Sequence, residues 1–222
     1  MPVPASYHHG NLREALVMAA IDVARESGPD GLALRDLARR VGVSHNAAYR
    51  HFADRDALVA EVAMRAMVGL IDRMQARLDD VPRVEPVLDA RRRLAAIGRG
   101  YVEFALAEPG LFRVAFSFYP GVPDTKDVEE AQPDTDPFGL LGAVLDDLVA
   151  VGFLHPEARS GAEIMCWSAV HGFAVLHLDG PLSGEATDVR ERSLDHLFVN
   201  IDRGYAATTG AVVGPGDLVA GS

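Results

Sequence analysis

The chain has 222 residues, of which 49% are apolar, with a formal charge of −11 at pH 7 and one cysteine. That length and apolar content suffice for one or two cored domains, and a single thiol excludes an intrachain disulfide framework. The overall acidity argues against a nucleic-acid partner, but residues 1–60 hold seven Arg and seven carboxylates, so all the excess acid lies beyond them.

The first ten residues, with Tyr7-His8-His9-Gly10, read as a loose arm. Asn11 reads as the cap of a helix carrying Leu12, Leu16, Ala20 and Val23 on one face and stopping at Gly28-Pro29. Next, ALRDLARRVGVSHNAAYRHF (33–52) reads as two short helices joined by a tight turn. Leu34, Leu37, Ala38 and Val41 recur at i, i+3, i+4 and i+7, one apolar stripe on a helical period. Gly42 stops that helix, because a left-handed residue after a helix costs Gly nothing sterically. Ser44 is a good cap for the second helix. On it Ala48 and Phe52 face inward, and His45, Asn46, Ala47, Tyr49, Arg50 and His51 face outward. Small residues at Ala38, Gly42 and Ala48 permit the close, steep crossing of a helix-turn-helix.

A recognition helix places its N-terminal residues against base edges in the major groove. His45 and Asn46 can hydrogen-bond bases, and Ala47 can touch a thymine methyl. Tyr49, Arg50 and His51 stand where phosphates flank the helix, fixing register without reading sequence. The competing reading is an αα-hairpin whose outward side chains are merely solvated.

Asp54 caps a helix with Leu58, Val62, Ala66 and Leu70 on one side, expected to reach Leu78 and followed by a linker at 81–86. A helix from Val87 to Ala107 buries Leu94, Ile97, Tyr101, Phe104 and Ala105 and exposes Arg91-Arg92-Arg93, read as a solvated face. Residues 111–118 form a short aromatic helix with Phe112 and Phe116. The stretch 120–137, rich in Pro and carboxylates, reads as a mobile loop. Three more helices are expected: Phe138 to Val151, Pro156 or Glu157 to Leu178, and Thr187 or Asp188 to Tyr205. The tail from Thr208 reads as disordered. No strand or internal repeat is visible.

Tyr-x-His-Phe after Gly-Val-Ser, then Asp54-Arg55-Asp56-x-Leu58, resembles the tetracycline-repressor (TetR) family of bacterial transcriptional regulators across residues 7–65. The resemblance implies DNA contact by Arg35, Ser44, His45, Asn46, Ala47, Tyr49, His51 and Arg55. Where many members carry Ser or Thr to cap the first helix of the pair, this chain has Ala33, and Asp30 is the alternative cap. YVEFALAEPGLFRVAF (101–116) and CWSAVHGFAVLHL (166–178) resemble the subfamily named for a Trp-His-Gly signature, here Trp167, His171 and Gly172. The implied fold is all-α: a three-helix DNA-binding domain at 1–55, a larger helical effector-binding and dimerisation domain at 56–207, and the tail 208–222.

Trp167 and His171, at i and i+4, share one helix face. Either they are a hydrogen-bonded core pair, or they line a ligand cavity with Tyr101, Phe104, Phe112 and Phe116 opposite. The last two long helices, with Ala162, Met165, Ala169, Gly172 and Leu176 on one and Val189, Ser193, Leu197, Ile201 and Tyr205 on the other, suit a two-fold four-helix interface. The expected partners are an operator duplex, a second copy of the chain and an unidentified small-molecule effector; no cofactor is expected.

The alternatives are a helical ligand- or partner-binding module, or a small enzyme, without DNA binding. Gly42-Val43-Ser44-His45-Asn46 fails the nucleophile-elbow pattern at its last position. His171 and His177 do not share a helix face, and no cysteine cluster exists. No catalytic or metal-binding residue is therefore assigned. Cys166, among apolar neighbours, reads as a buried structural thiol. ALVMAA lacks a cleavage context, and the longest apolar stretch, 167–178, is too short to cross a bilayer. A cytoplasmic protein with no membrane partner is expected.

Overall fold

The computed structural model describes residues 9–117 and 136–206. The region around Tyr7, the acidic stretch 120–135 and the tail from Thr208 fall outside them. Among the described residues the chain is helical throughout: α1 (His9–Ser27), α2 (Leu34–Val41), α3 (His45–Tyr49), α4 (Arg55–Asp79), α5 (Pro86–Ala107), α6 (Pro109–Ser117), α7 (Pro137–Ala150), α8 (Ala162–Leu178) and α9 (Thr187–Ala206). Two compact units emerge, residues 1–69 with 107–123, and residues 70–106 with 124–222. The continuous helix α4 contributes its first part to one and its last part to the other.

In the first unit, α1 buries Leu16, Val17, Ala20 and Ala24, against which α2 and the following segment set Leu34, Leu37, Ala38, Ala48 and Phe52. Each such large side chain contributes roughly 1.5–3 kcal/mol on leaving water. α1 starts at His9, before the expected cap at Asn11. Gly42 ends α2 in the left-handed conformation, φ 78°, and its N–H bonds back to the Ala38 and Arg39 carbonyls. No side chain caps the start of α2 at Ala33, so Asp30 does not take over that role. The sequence neighbour of α5, helix α6, packs on α1. Gly110 makes this possible, because a Cβ there would stand 1.9 Å from the Ala24 carbonyl oxygen. Arg25 pairs with Glu108 at 3.0 Å at the same junction.

In the second unit the core comes from Ile97, Tyr101, Val102 and Ala105 of α5, Val144, Leu145 and Leu148 of α7, Val170 and Ala174 of α8, and Leu194 of α9. The arginine triplet is not the expected solvated face. Arg91 makes a two-pronged pair with Asp202 of α9 at 2.8 and 2.7 Å, and Arg93 pairs with Asp147 of α7. Only Arg92 is exposed, because the long arginines of the other two reach carboxylates on neighbouring helices. α8 begins at Ala162, later than expected: Pro156–Ala158 make a single 3₁₀ turn, and left-handed Gly161 (φ 78°) separates it from the helix.

Candidate nucleic-acid interface

The short α3 is held by its ends. The Ser44 hydroxyl accepts the Ala47 N–H at 3.2 Å, the expected cap. Ala48 and Phe52 are buried, which fixes the helix's rotation and leaves the other faces open. His45, Asn46 and Arg50 are exposed, Tyr49 is 44% exposed, and Ala47 and His51 are half-buried. The His45 and Tyr49 rings lie 4.4 Å apart, tilted by 56°, so each limits the other's rotamers. Arg35 on α2 is exposed too.

Arg55 is placed differently. Its Nε donates to the Leu32 carbonyl at 2.8 Å and an Nη to the Pro29 carbonyl at 2.6 Å, with Asp56 at 3.5 Å. The guanidinium therefore ties the start of α4 to the turn ahead of α2. Asp54 caps α4 as expected, accepting the Ala57 N–H at 2.8 Å. Arg13 lies 4.9 Å over the Phe52 ring and 2.6 Å from Glu61, and hydrogen bonding to Arg13 lowers the Glu61 carboxyl below its usual range. Arg65 pairs with Glu14 at 3.0 Å. These contacts join α1 and α4 behind the presented surface. A cleft of about 620 Å³ is edged by Glu26, Asp36, Arg39 and Arg40. Arg39 pairs with Asp36 and Arg40 with Glu26, so the cleft carries balanced charge.

The second unit brings Tyr101, Trp167 and His171 into one hydrogen-bonded group. Trp167 Nε1–H donates to the Tyr101 hydroxyl at 3.1 Å, and that hydroxyl lies 2.7 Å from His171 Nδ1. An indole only donates, so the tyrosine proton is free to go to Nδ1. Burial pushes the His171 pKa below its ordinary value, consistent with a neutral ring accepting at Nδ1. Phe138, which the sequence did not single out, meets Trp167 edge-on at 5.9 Å. Phe104 is buried in the same unit, whereas Phe112 and Phe116 belong to the first unit, their rings 4.8 Å apart. Cys166 is buried with its sulfur 3.1 Å from the Tyr205 hydroxyl, and burial raises its thiol pKa, as suits a structural residue.

Among the described residues there is no group of three side chains able to hold a metal, and no helix long and apolar enough to cross a membrane.

Comparison with known proteins adds an independent line. Residues 16–62 match the model for bacterial regulatory proteins of the tetR family, and residues 94–201 match a tetracyclin repressor-like C-terminal domain. An uncharacterised HTH-type transcriptional regulator of Bacillus subtilis (strain 168), YobS, is 23% identical over 192 residues, 86% of this chain and 90% of that protein. The class A tetracycline repressor protein from transposon 1721 of Escherichia coli is 33% identical over 108 residues, 49% of this chain and 46% of that protein. A solved structure of a protein of unknown function from Rhodococcus sp. RHA1 superposes with a TM-score of 0.72 at 30% identity, covering 91% of this chain and 99% of that one.

Proposed function

The chain belongs to the TetR family of DNA-binding transcriptional regulators, and from that premise we propose that it acts in the cytoplasm as a homodimeric repressor, released from a palindromic operator by a small-molecule effector. The observation that carries the DNA-reading half is the rotation of α3: Ala48 and Phe52 are buried while His45, Asn46 and Tyr49 face solvent. In this reading His45, Asn46 and Ala47 meet base edges, and Arg35, Ser44, Tyr49, Arg50 and His51 meet phosphates. Arg55 is assigned a positioning role, because two of its five donors bond the Leu32 and Pro29 carbonyls. Residues 1–55 read DNA, and residues 56–207 bind effector and dimerise.

The proposed dimer seam runs along α8 and α9. Ile164, Met165, Val175 and Leu176 of α8 and Val199 of α9 are large apolar side chains left exposed. Gly172 stands among the α8 set with nothing within 4 Å of where its Cβ would lie. A small residue facing open space on an apolar helix suits close approach by a second helix. The effector is assigned to the second unit beside Tyr101, Phe104, Trp167 and His171. Ligand and operator then compete through one coupling free energy: operator weakens effector binding by the same factor that effector weakens operator binding, typically ~5–150-fold.

The test is a gel shift at low salt with the DNA upstream of the protein's own gene, beside a shuffled duplex of equal length. A retarded band with the upstream fragment that shuffled DNA fails to compete away supports the proposal. Dimeric protein that retards neither fragment contradicts it.

A further inference from the structure

His177, in the last turn of α8, is buried, yet both ring nitrogens face acceptors. Nδ1 lies 2.8 Å from the Phe173 carbonyl oxygen and Nε2 lies 3.0 Å from the Glu185 carboxylate. A carbonyl oxygen only accepts, so Nδ1 must donate to it. The Nε2 contact then needs one more proton, shared between imidazole and carboxylate. Without it, a ring lone pair would face a carboxylate oxygen with the ring itself buried. The Phe173 ring lies 4.1 Å from it at 30°. The carboxylate that meets the ring comes from the turn between α8 and α9. Of the other charges on that stretch, Asp179 is exposed at the end of α8, and Asp188 at the start of α9 pairs with Arg192 at 2.8 Å.

We propose that His177 and Glu185 form a proton-loaded latch that holds the α8–α9 turn against the end of α8. The turn lies close on the helix: Leu182 N–H bonds to the Leu176 carbonyl at 3.1 Å and Glu185 N–H to the Leu182 carbonyl at 3.0 Å. A Cβ on Gly180 would stand 2.7 Å from the Leu176 Cα. The turn thereby sets Leu182, exposed like Val175 and Leu176, at the end of the same apolar face. Resting on the dimer reading above, the latch couples proton loss to a weaker seam. Closed in acid, the turn completes the face offered to a second copy; when the proton leaves, Glu185 turns to solvent and the end of the seam loosens.

The experiment compares the full-length protein with its Glu185→Gln variant from about pH 5 to about pH 8, the range in which imidazoles titrate. Nitrogen NMR reads the His177 ring, and amide exchange, corrected for its intrinsic pH dependence, reads the turn. In the unaltered protein, protection of the Leu182 and Glu185 amides falls as the ring loses its proton, by up to about tenfold per pH unit for one proton. A glutamine amide can donate to the deprotonated Nε2, so the variant keeps the turn closed across the range. Equal pH dependence in both proteins, or protection that ignores the ring's titration, overturns the latch. Sedimentation of the same samples judges the seam separately. Dimer dissociation that tracks the ring in the unaltered protein only supports the coupling, and a chain monomeric at every pH overturns the dimer reading while the exchange data still decide the latch.

Discussion

The Tyr101 hydroxyl bridges Trp167 and His171, accepting from the indole at 3.1 Å and meeting His171 Nδ1 at 2.7 Å. Tyr101→Phe leaves the indole N–H and Nδ1 without this partner, which costs about 1–3 kcal/mol for a buried polar group. Urea unfolding measures the loss.

The same bridge sets an acid limit on stability. Burial lowers the His171 pKa from an ordinary value near 6.5. The unfolded chain therefore takes up this proton at higher pH than the folded one. The contribution is fully present above about pH 6.5 and is lost as pH falls below it through the lowered folded value. His171→Gln retains an acceptor for Tyr101 but cannot titrate, so its midpoint in urea declines less steeply in acid than that of the parent protein. Parallel declines would refute the assignment.

Arg55 and Tyr49 separate bracing from contact. Arg55→Ala removes two charge-assisted bonds to the Leu32 and Pro29 carbonyls. With the side chain 44% exposed, the loss of stability is about 1 kcal/mol, and operator affinity falls with it. Tyr49→Ala leaves the melting temperature nearly unchanged, because the side chain lies at the surface, and weakens specific and shuffled DNA alike. Asn46→Ala costs about 1–3 kcal/mol on the operator and little on shuffled DNA if its amide reads a base. Anisotropy titrations against both duplexes distinguish the three variants.

Two glycines give opposite outcomes. Gly110→Ala forces a methyl to 1.9 Å from the Ala24 oxygen, so α6 must lift from α1 at a cost of about 1–3 kcal/mol or more. Gly172→Ala meets open space in the single chain, leaves monomer stability intact, and raises the dimer dissociation constant. Calorimetry checks the first and sedimentation the second.

The helical architecture was readable because its signals are local. Periodic leucines, Gly42 after α2, and caps at Ser44 and Asp54 each act within one or two turns, and all are seen in the structure. The presented face of α3 was readable for the same reason, since burying Ala48 and Phe52 dictates what remains outside. Long-range partners were not readable. Nothing local marks the Arg91–Asp202 pair, 111 residues apart, or Phe138 against Trp167. The motif marks Arg55 as a DNA contact, but only the fold shows its Nε also donating to the Leu32 carbonyl. The start of α8 was misplaced because Pro156 is a good helix opener, and a single turn satisfies it before Gly161 reverses the backbone.

DNase footprinting on the upstream fragment examines paired reading by α3 in one experiment. The account predicts two protected half-sites whose centres lie about one helical turn apart, roughly 34–36 Å or a multiple of it, both lost with Asn46→Ala at concentrations where the parent protein saturates them. A single protected patch, or protection that Asn46→Ala leaves unchanged, would contradict it.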